Sequence, residues 1–135
     1  HGELAGQLGN AVQRVASMIN RYQQGVIGEF PNPGHDTAPY HEAVANQQFD
    51  RALEWVWELV KGLNVYLEQQ KPWQLAKELD ETHLRDVLAA CVGDIMQIAE
   101  LLQPFLPSTA ETIEKIFHDG YVHNYSGVLF PRIEE

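Results

Sequence analysis

Apolar residues recur every three or four positions through four separate stretches of this 135-residue chain, and that periodicity is its strongest constraint. Such spacing lines up one apolar stripe per helix, and a stripe must be covered by another stripe. The first stretch runs from about residue 3 to 24 through Leu4, Leu8, Val12, Val15, Ile19 and Tyr22. Gly25 supplies a natural stop, because glycine takes the left-handed conformation that ends helices. A proline- and glycine-rich run, GEFPNPGHDTAP from Gly28 to Pro39, reads as a loop. A short helix at 40–45 is expected next. Asn46 then reads as the N-cap of a long helix to about Gln70, with Phe49, Leu53, Val56, Trp57, Val60, Leu63 and Leu67 inside.

Pro72 ends that helix or opens a short one through Trp73, Leu75 and Ala76. A further helix is expected over residues 81–103, with Leu84, Leu88, Cys91, Ile95, Ile98 and Leu102 inside. Pro104 and Pro107 break it. Ser108-Thr109-Ala110-Glu111 has the form of a capping box opening a helix through Phe117. From Gly120 to Glu135 the helical period is lost, which predicts an irregular tail or small hairpin. The fold class is therefore all-α: one domain over 1–135, an antiparallel bundle of four to five helices with an irregular C-terminal tail.

Composition narrows the function classes. At 44% hydrophobic residues the chain can bury a core, and no apolar run nears the ~18–20 residues of a membrane span. The single cysteine, Cys91, excludes a disulfide framework or a cysteine zinc cage and fits a reducing cytoplasm. The opening at His1-Gly2, without methionine, suggests an excised fragment with a tag remnant. A phosphate-binding glycine loop, a nucleophile elbow and a His-Glu-x-x-His zinc pair are all missing from the sequence. The pairs His35/His41 and His118/His123 lack the spacing of a shared ligand face, so no metal site is expected. Cys91 lies on an apolar stripe and reads as core rather than nucleophile.

The net charge of −10 opposes general nucleic-acid binding, yet the charge is segregated. Residues 1–28 carry +1 and residues 60–77 carry +2, leaving −13 on the rest. On the first helix Asn10, Arg14, Ser17 and Arg21 fall opposite the apolar stripe at 100° per residue. Trp73 follows Pro72 at a helix break between Lys71 and Lys77, where it either covers the core or stands out as a stacking surface.

Four blocks resemble the anticodon-binding domain of methionyl-tRNA synthetases, in family order. They are Asn10-Ala11-Val12-Gln13-Arg14 with Met18–Tyr22 and Gly25-Val26-Ile27; Leu67 through Pro72-Trp73 to Lys77; Leu101 through Pro104-Phe105-Leu106-Pro107 to Ala110; and Leu129-Phe130-Pro131-Arg132-Ile133-Glu134. The Asn-x-x-x-Arg pair combined with Pro-Trp is the methionine-type signature. The resemblance implies a C-terminal, non-catalytic domain that reads the CAU anticodon of initiator and elongator methionine tRNA. Asn10, Arg14 and Trp73 would bind the first anticodon base, with Pro72 orienting the tryptophan; Arg21, Lys71 and Lys77 are candidates for backbone contact.

The family's catalytic motifs His-Ile-Gly-His and Lys-Met-Ser-Lys-Ser are absent, as is its zinc-binding insertion. ATP, magnesium and zinc would therefore belong to a catalytic domain elsewhere in the same polypeptide, with no cofactor in this one. The expected partners are methionine tRNA and that catalytic domain, in the cytoplasm and without a membrane. The competing readings are the anticodon domain of another class I synthetase and a helical protein-interaction module.

Overall fold

The computed structural model describes residues 2–123, with side chains from residue 6 onward. Among the described residues six helices form an all-α bundle: α1 (Gly2–Gln23), α2 (Ala38–Ala45), α3 (Phe49–Gln70), α4 (Pro72–Lys77), α5 (Glu81–Leu102) and α6 (Pro107–Ile116). A two-residue hairpin follows, β1 (Phe117–His118) paired antiparallel with β2 (Tyr121–Val122). Phe117, expected to close the last helix, instead opens this hairpin, which begins before the Gly120–Glu135 stretch where a tail or small hairpin was expected; the Leu129–Glu134 block and the rest of that stretch from residue 124 lie outside the described residues.

The three 22-residue helices supply most of the core. Leu8, Val12, Val15 and Ile19 of α1 are fully buried, and so are Val56, Val60 and Leu67 of α3. These meet Leu88, Ile95 and Leu102 of α5 in one continuous cluster that also takes in Ile113 of α6. Helix α3 packs on α1, α2 and α5, and α5 packs on α1, α3, α4 and α6. Each fully buried aliphatic side chain contributes about 1.5–3 kcal/mol, so the interlocking stripes hold the bundle without any crosslink. Cys91 is part of this core, and burial with the nearby Asp94 carboxylate pushes its thiol up to about 12.

Three helix starts differ from the sequence expectation, the first being α2, which opens at Ala38 with Pro39 in its first turn rather than after it. Asn46 is the C-cap of α2, not the N-cap of α3: Gln47 turns left-handed at φ 59°, and α3 begins at Phe49 after Gln48. Asparagine favours turns at either end of a helix, and here closing the short α2 wins. Ser108 likewise lies inside α6. The helix starts at Pro107 with Leu106 as N-cap and no side-chain cap. Proline at the first helical position, with its φ preset and no N–H to satisfy, overrides the downstream serine. Asp80 does cap α5, its Oδ1 accepting from the His83 amide at 3.3 Å.

Gln24 and Gly25 turn left-handed after α1 (φ 52° and 79°), and the chain then pairs with the hairpin. The Ile27 and Gly28 amides donate to the Gly120 carbonyl at 2.7 and 3.1 Å, and the Val122 amide to the Gly25 carbonyl at 2.8 Å. The following loop crosses α5 at Gly93 and is tied by a 3.1 Å contact from His35 Nε2 to Asp94 Oδ1.

Candidate functional site

The exposed face of α1 and the α3–α4 junction meet at Arg14. The guanidinium Nη2 donates to Glu68 Oε1 at 3.3 Å, and its Cζ sits 5.4 Å from the centre of the Trp73 ring. Arg14 is half-buried and Glu68 largely exposed. An ion pair this exposed contributes about 0–1 kcal/mol, and a cation over an indole at a similar site about 0.5–1 kcal/mol. The pair organises the surface more than it stabilises the fold.

Each member is positioned by a different local feature. Arg14 lies between Ala11 and Val15, which face the core, so its own position points outward. Asn10, one turn earlier on the same helix, is exposed. Pro72 is buried at the first position of α4, and Leu75 is buried one turn on, so the short helix is anchored by two apolar side chains. Trp73, between them, is half-buried beside Arg14. Unlike Trp55 and Trp57, it is not among the partly buried apolar side chains packed on the core, and part of its surface stays exposed.

The looser candidates are dispersed. Arg21 is exposed two turns beyond Arg14, with its guanidinium 5.8 Å from the Tyr22 ring. Lys71 and Lys77 are exposed at the two ends of α4. Lys61 is engaged elsewhere, 2.7 Å from Glu58 and 5.7 Å from the Trp57 ring. Glu68, the one acidic residue of the basic 60–77 stretch, was not singled out in the sequence as part of the site. Its isolation among lysines was the available signal, but its partner lies 54 residues away.

Chemically, the cluster offers a flat aromatic surface, guanidinium donors and a carboxamide that both donates and accepts. Among the described residues no group of three or more His, Cys, Asp or Glu could hold a metal ion, and no helix is long and apolar enough to cross a membrane. His118 and His123 do come together, ring centres 5.8 Å apart, with His123 Nε2 2.9 Å from the His118 carbonyl.

No family model matches the sequence. Individual relatives do. A methionine–tRNA ligase of Streptococcus pyogenes is 32% identical over 124 residues, covering 82% of this chain and 19% of its own length. That of Bacillus subtilis is 34% identical over 122 residues, covering 81% of this chain and 18% of its own length. Among solved structures, apo Mycobacterium tuberculosis methionyl-tRNA synthetase superposes with a TM-score of 0.71 at 26% identity, over 96% of this chain and 32% of that one. The same enzyme with methionyl-adenylate gives 0.70. The chain thus spans about a fifth of the length of the curated relatives it matches. By sequence over four-fifths of its length and by fold over nearly all of it, this chain resembles the C-terminal domain of methionyl-tRNA synthetase, a class I synthetase.

Proposed function

We propose that this domain reads the CAU anticodon of methionine tRNA, initiator and elongator alike, and that Asn10, Arg14 and Trp73 form the pocket for its first base. The observation that carries the reading is the convergence of Arg14 with Trp73 from positions 59 residues apart, one helical turn from an exposed Asn10. Unpaired loop bases are recognised by splaying them out, stacking them on an aromatic ring and bonding their edges. Trp73 supplies the ring. Asn10 supplies a donor and an acceptor for a cytosine edge, and Arg14 supplies donors for the base carbonyl or a phosphate. Pro72, buried and fixed in φ, holds the tryptophan at the start of its helix.

Arg21, Lys71 and Lys77 are solvent-facing cations and would contact phosphates without reading sequence. The acidic remainder of the surface would disfavour other RNA. The longer protein would ligate methionine to tRNA at the expense of ATP, in the cytoplasm. Magnesium and zinc would be held in a catalytic domain beyond this chain, and this domain would contribute recognition without turnover.

The test is a titration with a CAU anticodon stem-loop and with one whose first anticodon base is guanine, followed by tryptophan fluorescence at low salt. Trp73→Ala separates the signal from Trp55 and Trp57. A several-fold CAU preference that disappears in the variant supports the reading. Equal binding of both loops, lost on adding salt, would reduce the contact to electrostatics alone.

A further inference from the structure

A single residue separates α3 from α4. Lys71 has φ 48° and ψ 63°, the left-handed conformation, although it is not glycine. Its amide closes α3 by donating to the Leu67 carbonyl at 3.0 Å. Its carbonyl opens α4 by accepting from the Gln74 and Leu75 amides at 2.8 and 3.2 Å. One peptide unit therefore terminates one helix, starts the next and fixes the angle between them. The residue after it is Pro72, and the next is Trp73.

Two features make this junction costly to build. A side-chain-bearing residue in the left-handed region is strained by roughly 1–2 kcal/mol. A following proline further restricts the residue before it, steering it towards extended backbone. No side-chain hydrogen bond of Lys71 compensates. With a right-handed φ at 71, α3 would run on toward Pro72, whose ring opposes continuation. With an extended φ the chain would leave α3 in another direction. In neither case would Trp73 lie against Arg14.

We propose that Lys71 is a positioning residue for base recognition: its left-handed backbone, rather than its charge, holds the Trp73 ring against Arg14. This rests on the reading of Trp73 as the stacking surface, but its first consequence is visible without RNA. The reciprocal requirement is a residue that tolerates positive φ at this place. Asparagine meets it and valine does not, since branching at Cβ makes the left-handed region a genuine outlier. Both are uncharged, so comparing them removes the lysine charge from the question.

The experiment compares Lys71→Asn and Lys71→Val, with Lys71→Ala as the milder member should valine prevent folding. The first readout is the ring-current displacement of the Arg14 side-chain proton resonances in the free protein, referenced to Trp73→Ala. Lys71→Asn keeps the displacement; Lys71→Val, or alanine in part, abolishes it. The second readout is affinity for the CAU stem-loop. Valine weakens it relative to asparagine by about tenfold, the order of one lost base stack, and in a Trp73→Ala background the difference between valine and asparagine vanishes. Equal ring-current displacement in all variants would overturn the proposal. So would a valine–asparagine difference that persists without Trp73, which would mark a general structural effect. A lysine acting through charge would instead make asparagine and valine equally weak and lower the salt dependence by about one phosphate contact in both. Should the wild-type chain not distinguish the two loops, the anticodon reading fails while the ring-current comparison still decides the role of Lys71.

Discussion

Gly93 offers a test of the fold that does not depend on any functional reading. It lies in α5 where the proline-rich loop crosses, and a Cβ placed there would sit 2.3 Å from the Pro31 carbonyl oxygen. An ordinary carbon–oxygen contact needs roughly 3.3 Å or more, so Gly93→Ala must push the loop or the helix apart by about an ångström. The obstacle is backbone, which cannot rotate away as a flexible side chain would. The loop is also held on both sides, by the Ile27 and Gly28 amides on Gly120 and by His35 on Asp94. Overpacking of this kind costs about 1–3 kcal/mol, partly offset by the ~1 kcal/mol that alanine gains over glycine in a helix. The expected net loss is therefore about 0–2 kcal/mol, a fall in Tm of up to several degrees for a domain of this size, and Gly93→Ala should lie about 1–3 kcal/mol below an unobstructed glycine-to-alanine change. Gly62, on α3 with nothing within 4 Å of its Cβ position, provides the control, since Gly62→Ala should stabilise. Paired urea denaturation curves would measure both. A Gly93→Ala protein as stable as Gly62→Ala would refute the close approach of loop and helix.

Three further outcomes follow from the same geometry. Glu68→Gln releases the Arg14 guanidinium from its carboxylate and should raise affinity for CAU and guanine-first loops alike, by up to about fivefold at low salt; unchanged affinity for both would mean Arg14 does not meet RNA. Lysine at both Glu54 and Glu58, exposed on α3, should raise binding of an unrelated RNA hairpin and steepen its salt dependence; no change would remove the acidic surface from the account of selectivity. The Cys91 thiol, raised from 9.0 to about 12, stays protonated in the folded state while the unfolded chain ionises. Its contribution is therefore complete below pH 9 and is lost at up to about 1.4 kcal/mol per pH unit as the pH rises toward 12. A stability–pH curve of Cys91→Ala should lack that component above pH 9, and a curve parallel to wild type would show the thiol to be accessible.

The long helices were legible because their apolar stripes are continuous over twenty residues, and the exposed face with Asn10, Arg14 and Arg21 followed from the same arithmetic. Junctions were harder. Asn46 and Ser108 both carry genuine capping chemistry, yet each was outcompeted by a neighbour, a left-handed Gln47 in one case and Pro107 in the other. Such contests are settled by which end satisfies more backbone groups, and a one-dimensional pattern does not rank them. Lys71 is the sharper case. Nothing in lysine announces positive φ; it is imposed by two helices that must each end within one residue while Pro72 and Leu75 reach the core. The Arg14–Glu68 pair was unreadable for a different reason, since it depends on the relative rotation of α1 and α3 rather than on either helix alone.

That pairing also bears on how recognition can be selective on a chain of net charge −10. An unpaired arginine at the surface would attract any phosphate, and affinity would then follow charge rather than sequence. Here Arg14 is already bonded to Glu68 and held over the Trp73 ring, so an RNA bound as proposed would have to exchange those contacts for its own. A phosphate alone offers one exchange of similar worth and gains little. A base that stacks on Trp73, meets Asn10 and bonds Arg14 replaces what it displaces and adds more. On the proposed reading, selectivity would arise because the free site is already satisfied, and only a ligand making all three contacts would exceed that reference.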